Sequence, residues 1–417
     1  MIPTILRQRN FSLLWFGGLV SLTGDWMLRI ALPAYVFDLT GSTLATGAMF
    51  IAATVPNVLL GSMAGVFVDR WDRQRTMVII NLILAVGLLP LLVVRSAELL
   101  WIVYVVAFGQ SLLAQFFGPA ENALLPNLVG EEHLMAANSM NALNNNLARL
   151  IGPALGGVLA ITLGLTGVAL IDAATFLLAA LLIALIRQPD GAKAVAVAET
   201  APRLFSAIWN EWLAGLQMVR SERVLTVLFT IAAITALGEG VLSVLFIPFV
   251  TDVLRGEALE LGWLMSAQAV GGLLGGMLLA RVGSLLKPLR TIGPSALMFG
   301  LIDLAIFNYP AFFAGFTIAL VLFVVVGLPG AAFSASFSTL LQRRVVDSYR
   351  GRVFGALNTT IALIMLGGMG LASIAGDVVG IVPVINIQGF GYIVAGLLAL
   401  RLRAAPSTAD RKLKAEN

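Results

Sequence analysis

Two long apolar runs near the N-terminus are separated by the segment Gly65-Val66-Phe67-Val68-Asp69-Arg70-Trp71-Asp72-Arg73-Gln74-Arg75. In this 65–75 segment Gly65 permits close helix approach, Asp69 can interact with a helix N-terminus, and the arginines can pair with carboxylates at neighbouring helix ends. We expect such a cluster to latch one conformation on the inner side of a membrane. A plain basic loop would explain the arginines, but not Gly65 and Asp69 at these positions.

Composition also places the chain in a membrane. Of its 417 residues, 59% are hydrophobic and 12% are charged, and the mean hydropathy is +0.96. A water-soluble core cannot hide that much apolar surface, so the surrounding solvent is lipid. The pI is about 9.7, but the basic residues sit in short gaps between apolar runs, which argues against nucleic-acid binding.

The side chains of common catalytic and metal sites are scarce. The chain has no cysteine, which excludes disulfides, thiolate metal sites and cysteine nucleophiles, and His133 is its single histidine. The sequence contains no phosphate loop of the P-loop type and no convincing nucleophile set. We therefore predict that the protein is not an enzyme and binds no metal or cofactor.

Twelve apolar runs have the length of about twenty residues that crosses the hydrocarbon layer of a bilayer. They fall at 11–37, 44–68, 76–95, 98–120, 137–160, 166–187, 223–250, 258–281, 291–308, 311–337, 353–376 and 382–402. This pattern predicts an all-α membrane protein with two pseudo-symmetric six-helix bundles. The bundles span 1–187 and 223–403, with a cytoplasmic linker at 188–222 and a cytoplasmic tail at 404–417.

The distribution of basic residues predicts the orientation, because cytoplasmic segments carry the Lys and Arg excess. With the N-terminus inside, all but four of the 26 Lys and Arg residues fall in inner segments. The exceptions are Arg29 and Arg149 within spans and Arg95 and Arg255 in outer loops. We predict a multi-pass protein of the inner membrane with both termini in the cytoplasm.

The linker has two parts. Residues 188–202, rich in Ala, Val, Gly and Pro, are typical of a flexible tether. From Phe205 to Val219 apolar residues, including Trp209 and Trp212, recur at helical spacing, which predicts an interfacial helix anchored on the inner leaflet. A simple connector is favoured over a docking site for a regulator.

The fifth predicted span contains a second motif, in which Arg149 is followed by Gly152, Pro153, Gly156 and Gly157. Pro153 removes a backbone hydrogen bond, and the glycines leave a smooth face on which a neighbouring helix can hinge or slide. The alternative is that these small residues only pack, as they do in many membrane helices.

These segments resemble motifs of the major facilitator superfamily. The 65–75 segment resembles its loop 2–3 motif, and residues 152–157 resemble the Gly-Pro-x-x-Gly-Gly motif of its antiporters. The wider pattern, including Asn10-Phe11 and Gly24-Asp25-Trp26, is similar to the branch that holds macrolide-efflux and enterobactin-exporter relatives. The resemblance covers nearly the whole chain and implies export, but it does not carry a substrate with it.

Charged residues inside spans are functional candidates because burying them in a membrane is costly. Asp25 and Arg29 sit one turn apart in the first span, and Arg149 lies roughly 16 Å along a helix beyond Asn138. Asp25 is a candidate proton carrier. Burial would raise its proton affinity, and a neighbouring arginine, Arg149 or Arg29, would lower it. The alternative is a permanent ion pair of Asp25 with Arg149 that orders spans 1 and 5.

Two further acids have sequence-based assignments. Glu239, between Gly238 and Gly240 in the seventh span, is either a second coupling site or the mark of a local helix break. Glu121, near the inner end of the fourth span, is expected to complete the gate motif of Gly65, Asp69, Arg70, Asp72 and Arg73 by pairing with Arg70 or Arg73. Asp172 and Asp303 lie towards the outer ends of their spans, where contacts at a gate are the only role that the sequence suggests.

A weak internal repeat supports two related halves. A shift of 214 positions lays Asn144 on Asn358 and Gly156 on Gly370, as expected of a transporter built from two parallel-related halves.

Together these features predict a monomeric secondary transporter in the lipid bilayer, without nucleic-acid partners. We expect it to export a small amphipathic or lipophilic compound, drug-like or siderophore-like, by alternating access in exchange for H⁺. The apolar helix faces favour such a substrate over a sugar or phosphate. A proton-coupled nutrient symporter, a transporter-like sensor and Na⁺ as the driving ion remain alternatives.

Overall fold

The structure, a computed structural model, describes residues 4–60, 68, 71–187, 217, 219–220, 222–283, 286–345 and 350–403. These residues form helices and no strand, so the predicted all-α class is confirmed. The α-helices of the described residues are α1 Arg9–Thr40, α2 Thr43–Leu60, α3 Arg73–Gly87, α4 Leu100–Val129, α5 Leu134–Ala184, α6 Arg223–Pro248, α7 Ala258–Val282, α8 Pro288–Asn308, α9 Phe316–Arg344, α10 Arg350–Val379 and α11 Ile381–Arg403.

Short 3-10 turns flank several helices, and a π-helical turn extends one of them. The 3-10 turns are Thr4–Arg7, Leu89–Val93, Ala97–Leu99, Glu131–His133 and Tyr309–Ala311, and the π-helical turn after α6 is Phe249–Val253. With these extensions, the described residues contain 11 helices that are long and apolar enough to cross a membrane.

The longest helix, α5, contains a break. It has 51 residues, and Gly164 inside it has a φ of 65° and a ψ of −176°, far from helical values. Glycine adopts such a conformation without the steric cost that a side chain brings. The predicted spans 137–160 and 166–187 therefore lie on either side of Gly164.

Local sequence accounts for several helix ends. Asp72 caps the start of α3, accepting a hydrogen bond from the backbone N–H of Arg75 at 2.8 Å. Gly41 ends α1 in the left-handed conformation, with a φ of 60°, and its N–H donates to the carbonyl of Phe37 at 2.7 Å.

The described residues divide into two compact units. Unit 1 combines those of Met1–Phe205 with Phe246–Ala269, and unit 2 combines those of Ser206–Leu245 with Val270–Asn417. Relative to the predicted bundles, residues 246–269 are thus grouped with unit 1. The predicted tether at 188–202 and most of the predicted interfacial helix lie outside the described residues.

Each unit has its own apolar core. In unit 1 the core lies between α1, α3, α4 and α5 and includes Leu28, Val36, Val103 and Val168. In unit 2 a core cluster includes Leu228, Ile231, Ile292, Val353 and Ala395. Large apolar side chains are also exposed along the helices, as expected where lipid replaces water around the protein.

Candidate functional site

Two carboxyl side chains of unit 1 come together near the middle of α1. Asp25 lies midway along this 32-residue helix. Asp172, on α5 beyond the Gly164 break, packs so closely against Gly24 that a Cβ added there would overlap the Asp172 carboxyl and the Thr175 hydroxyl. Asp172 thus packs against the residue that precedes Asp25, near enough for the two carboxyl groups to repel each other when both are ionised. Asp172 is therefore a partner of Asp25, packed against the middle of α1, and not a residue with contacts at a gate alone.

Asp172 is fully buried and only partly hydrogen bonded. Its exposed fraction is 0%. The hydroxyl of Thr175 donates to Asp172 Oδ1 at 3.1 Å and is also within 2.7 Å of the Asp172 backbone carbonyl, while Oδ2 has no hydrogen-bond partner among the described residues. An ionised carboxylate in such a place is costly, and a second acid beside it adds like-charge repulsion. A proton held by one of the two acids removes that repulsion.

The two arginines near Asp25 have different environments. Arg29 is the cation whose charge acts on Asp25, and its guanidinium carbon lies 5.1 Å from the centroid of the Trp26 ring. Arg149 is exposed on α5, and none of the ion pairs found among the described residues includes it. The alternative of a permanent Asp25–Arg149 pair is therefore not seen in the structure.

The α5 motif packs against α1 next to Asp25. A Cβ added at Gly152 would overlap the Cβ of Trp26, and one at Gly156 would lie 2.7 Å from Cα and from the carbonyl oxygen of Met27. Both glycines are therefore required for the close approach of the two helix backbones.

The same motif meets α7 within unit 1. A Cβ at Gly157 would lie 2.5 Å from the carbonyl oxygen of Ala258, and a Cβ at Gly262 would overlap the carbonyl of Pro153. Packing and a hinge role are compatible here, since a smooth glycine face serves both.

The gate motif is described only in part. Gly65, Asp69 and Arg70 lie outside the described residues. Asp72 caps α3, and it lies 3.9 Å from Arg75 in an exposed ion pair of the kind that adds little stability.

The remaining gate residues do not pair as predicted. Arg73 donates to the backbone carbonyl of Ala123 at 2.9 Å, and Glu121 accepts from Asn141 at 3.3 Å. Glu121 and Arg73 thus form no ion pair with each other, and the alternative partner of Glu121, Arg70, lies outside the described residues. Arg73 instead holds the start of α3 to α4 through a carbonyl.

Two polar residues that sequence reasoning left without a role hold the end of α5. Gln74 donates to the carbonyls of Ile183 at 2.8 Å and Ile186 at 2.9 Å. Asn10 donates to the carbonyl of Arg187 at 2.8 Å and accepts from its N–H at 3.2 Å. Carbonyls at a helix C-terminus lack intrahelical partners, so both side chains satisfy groups that would otherwise be orphaned.

A second acidic cluster lies in unit 2, around Glu239. Helix α6 runs unbroken from Arg223 to Pro248, so the local helix break proposed for Glu239 is wrong. The hydroxyl of Tyr392 donates to Glu239 Oε1 at 2.8 Å, and Gln388 Nε2 lies 3.5 Å from the same oxygen. A Cβ at Gly238 would lie 2.8 Å from Cα of Gln388, so α6 and α11 are in close contact at this level.

Asp303 of α8 belongs to this second cluster. It is 4% exposed, its Oδ2 has no hydrogen-bond partner among the described residues, and its charge interacts with that of Glu239. Sequence reasoning placed it at a gate because it lies near the end of its span. The internal repeat relates the acids on α1 and α6, because the shift of 214 positions also lays Gly24-Asp25 on Gly238-Glu239, but it lays Leu89 on Asp303 and so gives no signal for that residue.

Comparison with protein families matches residues 3–417 to the model of a family described as transmembrane secretion effector. Macrolide efflux protein A of Streptococcus pyogenes is 27% identical over 375 residues, which covers 89% of this chain and 90% of that protein. The multidrug efflux pump Tap of Mycobacterium tuberculosis strain H37Rv is 29% identical over 401 residues, covering 94% and 93%.

Solved transporter structures share the fold. A bacterial homologue of the iron transporter ferroportin, in an inward-facing state, has a TM-score of 0.75 at 16% identity and covers 95% of this chain and 99% of that one. A POT family transporter in complex with a thioalcohol-conjugated peptide has a TM-score of 0.74 at 12% identity, covering 95% and 96%. At these identities the likeness concerns architecture alone.

Proposed function

Since the chain belongs to the transmembrane secretion effector family of the major facilitator superfamily, we propose that it exports a small amphipathic or lipophilic compound in exchange for protons. Its family and its relatives are transporters rather than enzymes. Efflux is the activity in the names of its macrolide and multidrug relatives, which supports the outward direction.

The observation that carries proton exchange is the pair formed by Asp25, which is half-buried, and Asp172, which is fully buried. Two acids whose charges interact, one of them fully buried with an unpartnered oxygen, are poorly accommodated when both are ionised. The pair is therefore suited to bind one proton and release it when solvent access changes. Arg29 provides the opposing charge on the same helix face, one turn from Asp25.

In the proposed cycle, α1 and α5 couple the proton to movement. Gly152 and Gly156 bring the α5 backbone against Trp26 and Met27, the two residues that follow Asp25. A change of charge at Asp25 thus occurs next to a contact between the α1 and α5 backbones, where the glycines of α5 have no side chains in the way. Such a contact can shift without repacking large side chains.

The substrate class is proposed from two sources. The helices offer predominantly apolar surface with few charges, which suits a lipophilic or amphipathic molecule. The relatives add macrolides and several unrelated drugs as the compounds to test first. A siderophore-like compound is the second class that the sequence resemblance suggested.

We further propose twelve crossings, a location in the inner membrane, cytoplasmic termini and a monomer. The break at Gly164 divides α5 into two parts that can each cross a bilayer, since roughly 30 Å of hydrocarbon needs about 20 helical residues. Counting α5 twice turns the 11 candidate helices into twelve crossings. An even number places both termini on one side, in agreement with the basic-residue distribution.

Flux in proteoliposomes tests the proposal. The purified protein is reconstituted, a radiolabelled macrolide is supplied, and pH and Na⁺ gradients are imposed separately. We expect accumulation against the macrolide gradient only when protons move in the opposite direction. Accumulation in the direction of proton movement would identify a symporter, binding without flux would identify a sensor, and a response to Na⁺ alone would replace the proton as the driving ion.

A further inference from the structure

A group of oxygen-bearing side chains in unit 2 has no part in the exchange proposed for Asp25 and Asp172. It consists of Glu239 on α6, Asp303 on α8, and Gln388 and Tyr392 on α11, and is called here the unit 2 cluster. Its members come from three helices that pack closely within one unit. At Gly300 a Cβ would overlap the carbonyl of Gly389, which shows how near α8 and α11 approach each other.

Hydrogen-bond donors in the cluster converge on one atom. Tyr392 donates to Glu239 Oε1 at 2.8 Å, and Gln388 Nε2 lies at 3.5 Å from the same oxygen. With its amide nitrogen directed at Glu239, Gln388 has no partner for its own carbonyl oxygen Oε1 among the residues that the structure describes. Gln388 is 2% exposed, so water outside the protein does not satisfy this oxygen.

The second unsatisfied atom is a carboxyl oxygen. Within the part of the chain that the structure describes, Asp303 Oδ2 has no hydrogen-bond partner, although Asp303 is only 4% exposed. The Asp303 carboxyl also lies near enough to Glu239 for the two acids to repel each other when both are ionised. Asp303 and Gln388 thus each bury an oxygen atom that has no hydrogen-bond partner among the described residues, which is a costly arrangement inside a membrane.

Aromatic rings close one side of the cluster. The ring of Tyr392 lies 4.2 Å from that of Phe299 and 5.5 Å from that of Phe333, measured between centroids. These contacts fix the Tyr392 hydroxyl towards Glu239 and surround it with apolar atoms. In such surroundings an electrostatic interaction is stronger than it is in water.

We propose that the unit 2 cluster is a second cation site, which binds one proton between Glu239 and Asp303. A single positive charge suits the composition of the site, because the described residues contain no group of three or more acidic or histidine side chains arranged to hold a metal ion. Sodium carries the same charge and, as a hard cation, is bound by oxygen atoms such as those of this cluster, so the experiment separates it from the proton.

The internal repeat supports this assignment independently of the hydrogen bonds. Gly238-Glu239 stands 214 positions after Gly24-Asp25, and in both cases the glycine lets the helix pack directly on a buried polar residue of another helix. That residue is Asp172 in unit 1 and Gln388 in unit 2. The inference goes beyond the proposed exchange, because it concerns binding and holds for any substrate or direction of transport.

Infrared difference spectroscopy tests the site without substrate or flux. The purified full-length protein is titrated with acid in choline buffer, and the C=O stretch of protonated carboxyl groups is followed. We expect the wild-type protein to show a band that disappears as the pH rises and that Asp303→Asn reduces or abolishes. Glu239→Gln is expected to do the same, and it serves as the second variant if Asp303→Asn does not fold.

Two controls complete the design. Asp377→Asn removes an exposed acid of the same unit and is expected to leave the band unchanged. Asp25→Asn removes the acid of the other unit and should leave the Asp303-dependent part of the band in place, so a failure of the proposed exchange does not affect this result. If NaCl, replacing choline at constant ionic strength, removes that part of the band, the bound cation is Na⁺. Identical wild-type and Asp303→Asn spectra in both salts, or a band that does not change with pH, would overturn the proposal.

Discussion

At the residue scale, the position of Asp25 makes a direct prediction. Asp25→Asn mimics the protonated acid permanently, so the variant should bind substrate but fail to pump it uphill. We expect the substrate Kd to change less than tenfold, about 1.4 kcal/mol, while proton-driven accumulation falls to the equilibrium level. Binding is measured on purified protein, and accumulation in proteoliposomes with an imposed pH gradient.

Asp38→Asn is the matched control, since Asp38 is an exposed acid of the same helix. This variant should pump normally. The double variant Asp25→Asn, Arg149→Gln should not recover pumping, because the structure shows no ion pair between these residues. Recovery in the double variant would contradict a carrier role for Asp25 and direct attention to Glu239.

The sequence was sufficient to find one member of each acidic group. Asp25 and Glu239 stand out because each is a charge within a long apolar run. For Asp172 and Asp303 the sequence suggests no role beyond contacts at a gate, because the distance from the end of a span is the only measure that it offers. Which helix each acid meets depends on tertiary packing, and depth along one helix does not contain that information.

At the element scale, the contact between α5 and α1 predicts the effect of a bulky side chain. In Gly156→Leu the new Cβ would lie 2.7 Å from the Met27 backbone, so α1 and α5 must separate. Overpacking typically costs about 1–3 kcal/mol, and the displacement occurs two residues from Asp25. We expect the variant to insert in the membrane but to lose transport.

Gly109→Leu provides the comparison, because a Cβ at Gly109 on α4 would meet no atom within 4 Å. Transport by this variant should be close to that of the wild type. Wild-type flux in Gly156→Leu would show that the close approach of α5 and α1 is incidental to the cycle.

Two aspartates of the 65–75 segment should have separable effects. Asp72→Ala removes the N-cap of α3 and is expected to cost about 0.5–2 kcal/mol of stability, seen as a lower Tm. Asp69→Asn, the latch residue proposed from sequence, should be expressed normally and transport more slowly. Both variants are measured by thermal unfolding in detergent and by the initial rate of flux. If Asp72→Ala slows transport and Asp69→Asn does not, the assignment of the latch to Asp69 is wrong.

Helix positions were largely predictable, while their breaks and contacts were not. Apolar runs of bilayer length fix where helices must lie, because lipid leaves backbone groups no other partner. The break in α5 depends on the backbone dihedrals of Gly164, which a glycine permits but does not require. The carbonyl contacts of Arg73 and Gln74 were also missed, because a sequence shows charges and amides but not exposed helix ends.

At the scale of the whole molecule, the number of crossings is open to a direct test, and the chain is suited to it because it contains no cysteine. Leu163 lies beside the α5 break and its side chain is 52% exposed. If α5 crosses twice, Leu163→Cys is at the outer surface and should react with a membrane-impermeant maleimide in intact cells. If α5 crosses once, residue 163 lies within the bilayer and should not react.

Two further single-cysteine variants calibrate this experiment. Arg95→Cys lies in a predicted outer loop and should react in intact cells, whereas Lys412→Cys in the predicted cytoplasmic tail should react only after the membrane is permeabilised. With twelve crossings, Leu163→Cys should behave like Arg95→Cys, because an even number of crossings returns the C-terminus to the side of the N-terminus. Labelling of Lys412→Cys in intact cells would reverse the predicted orientation, and it would also place the basic residues on the outside, against the charge bias that governs insertion.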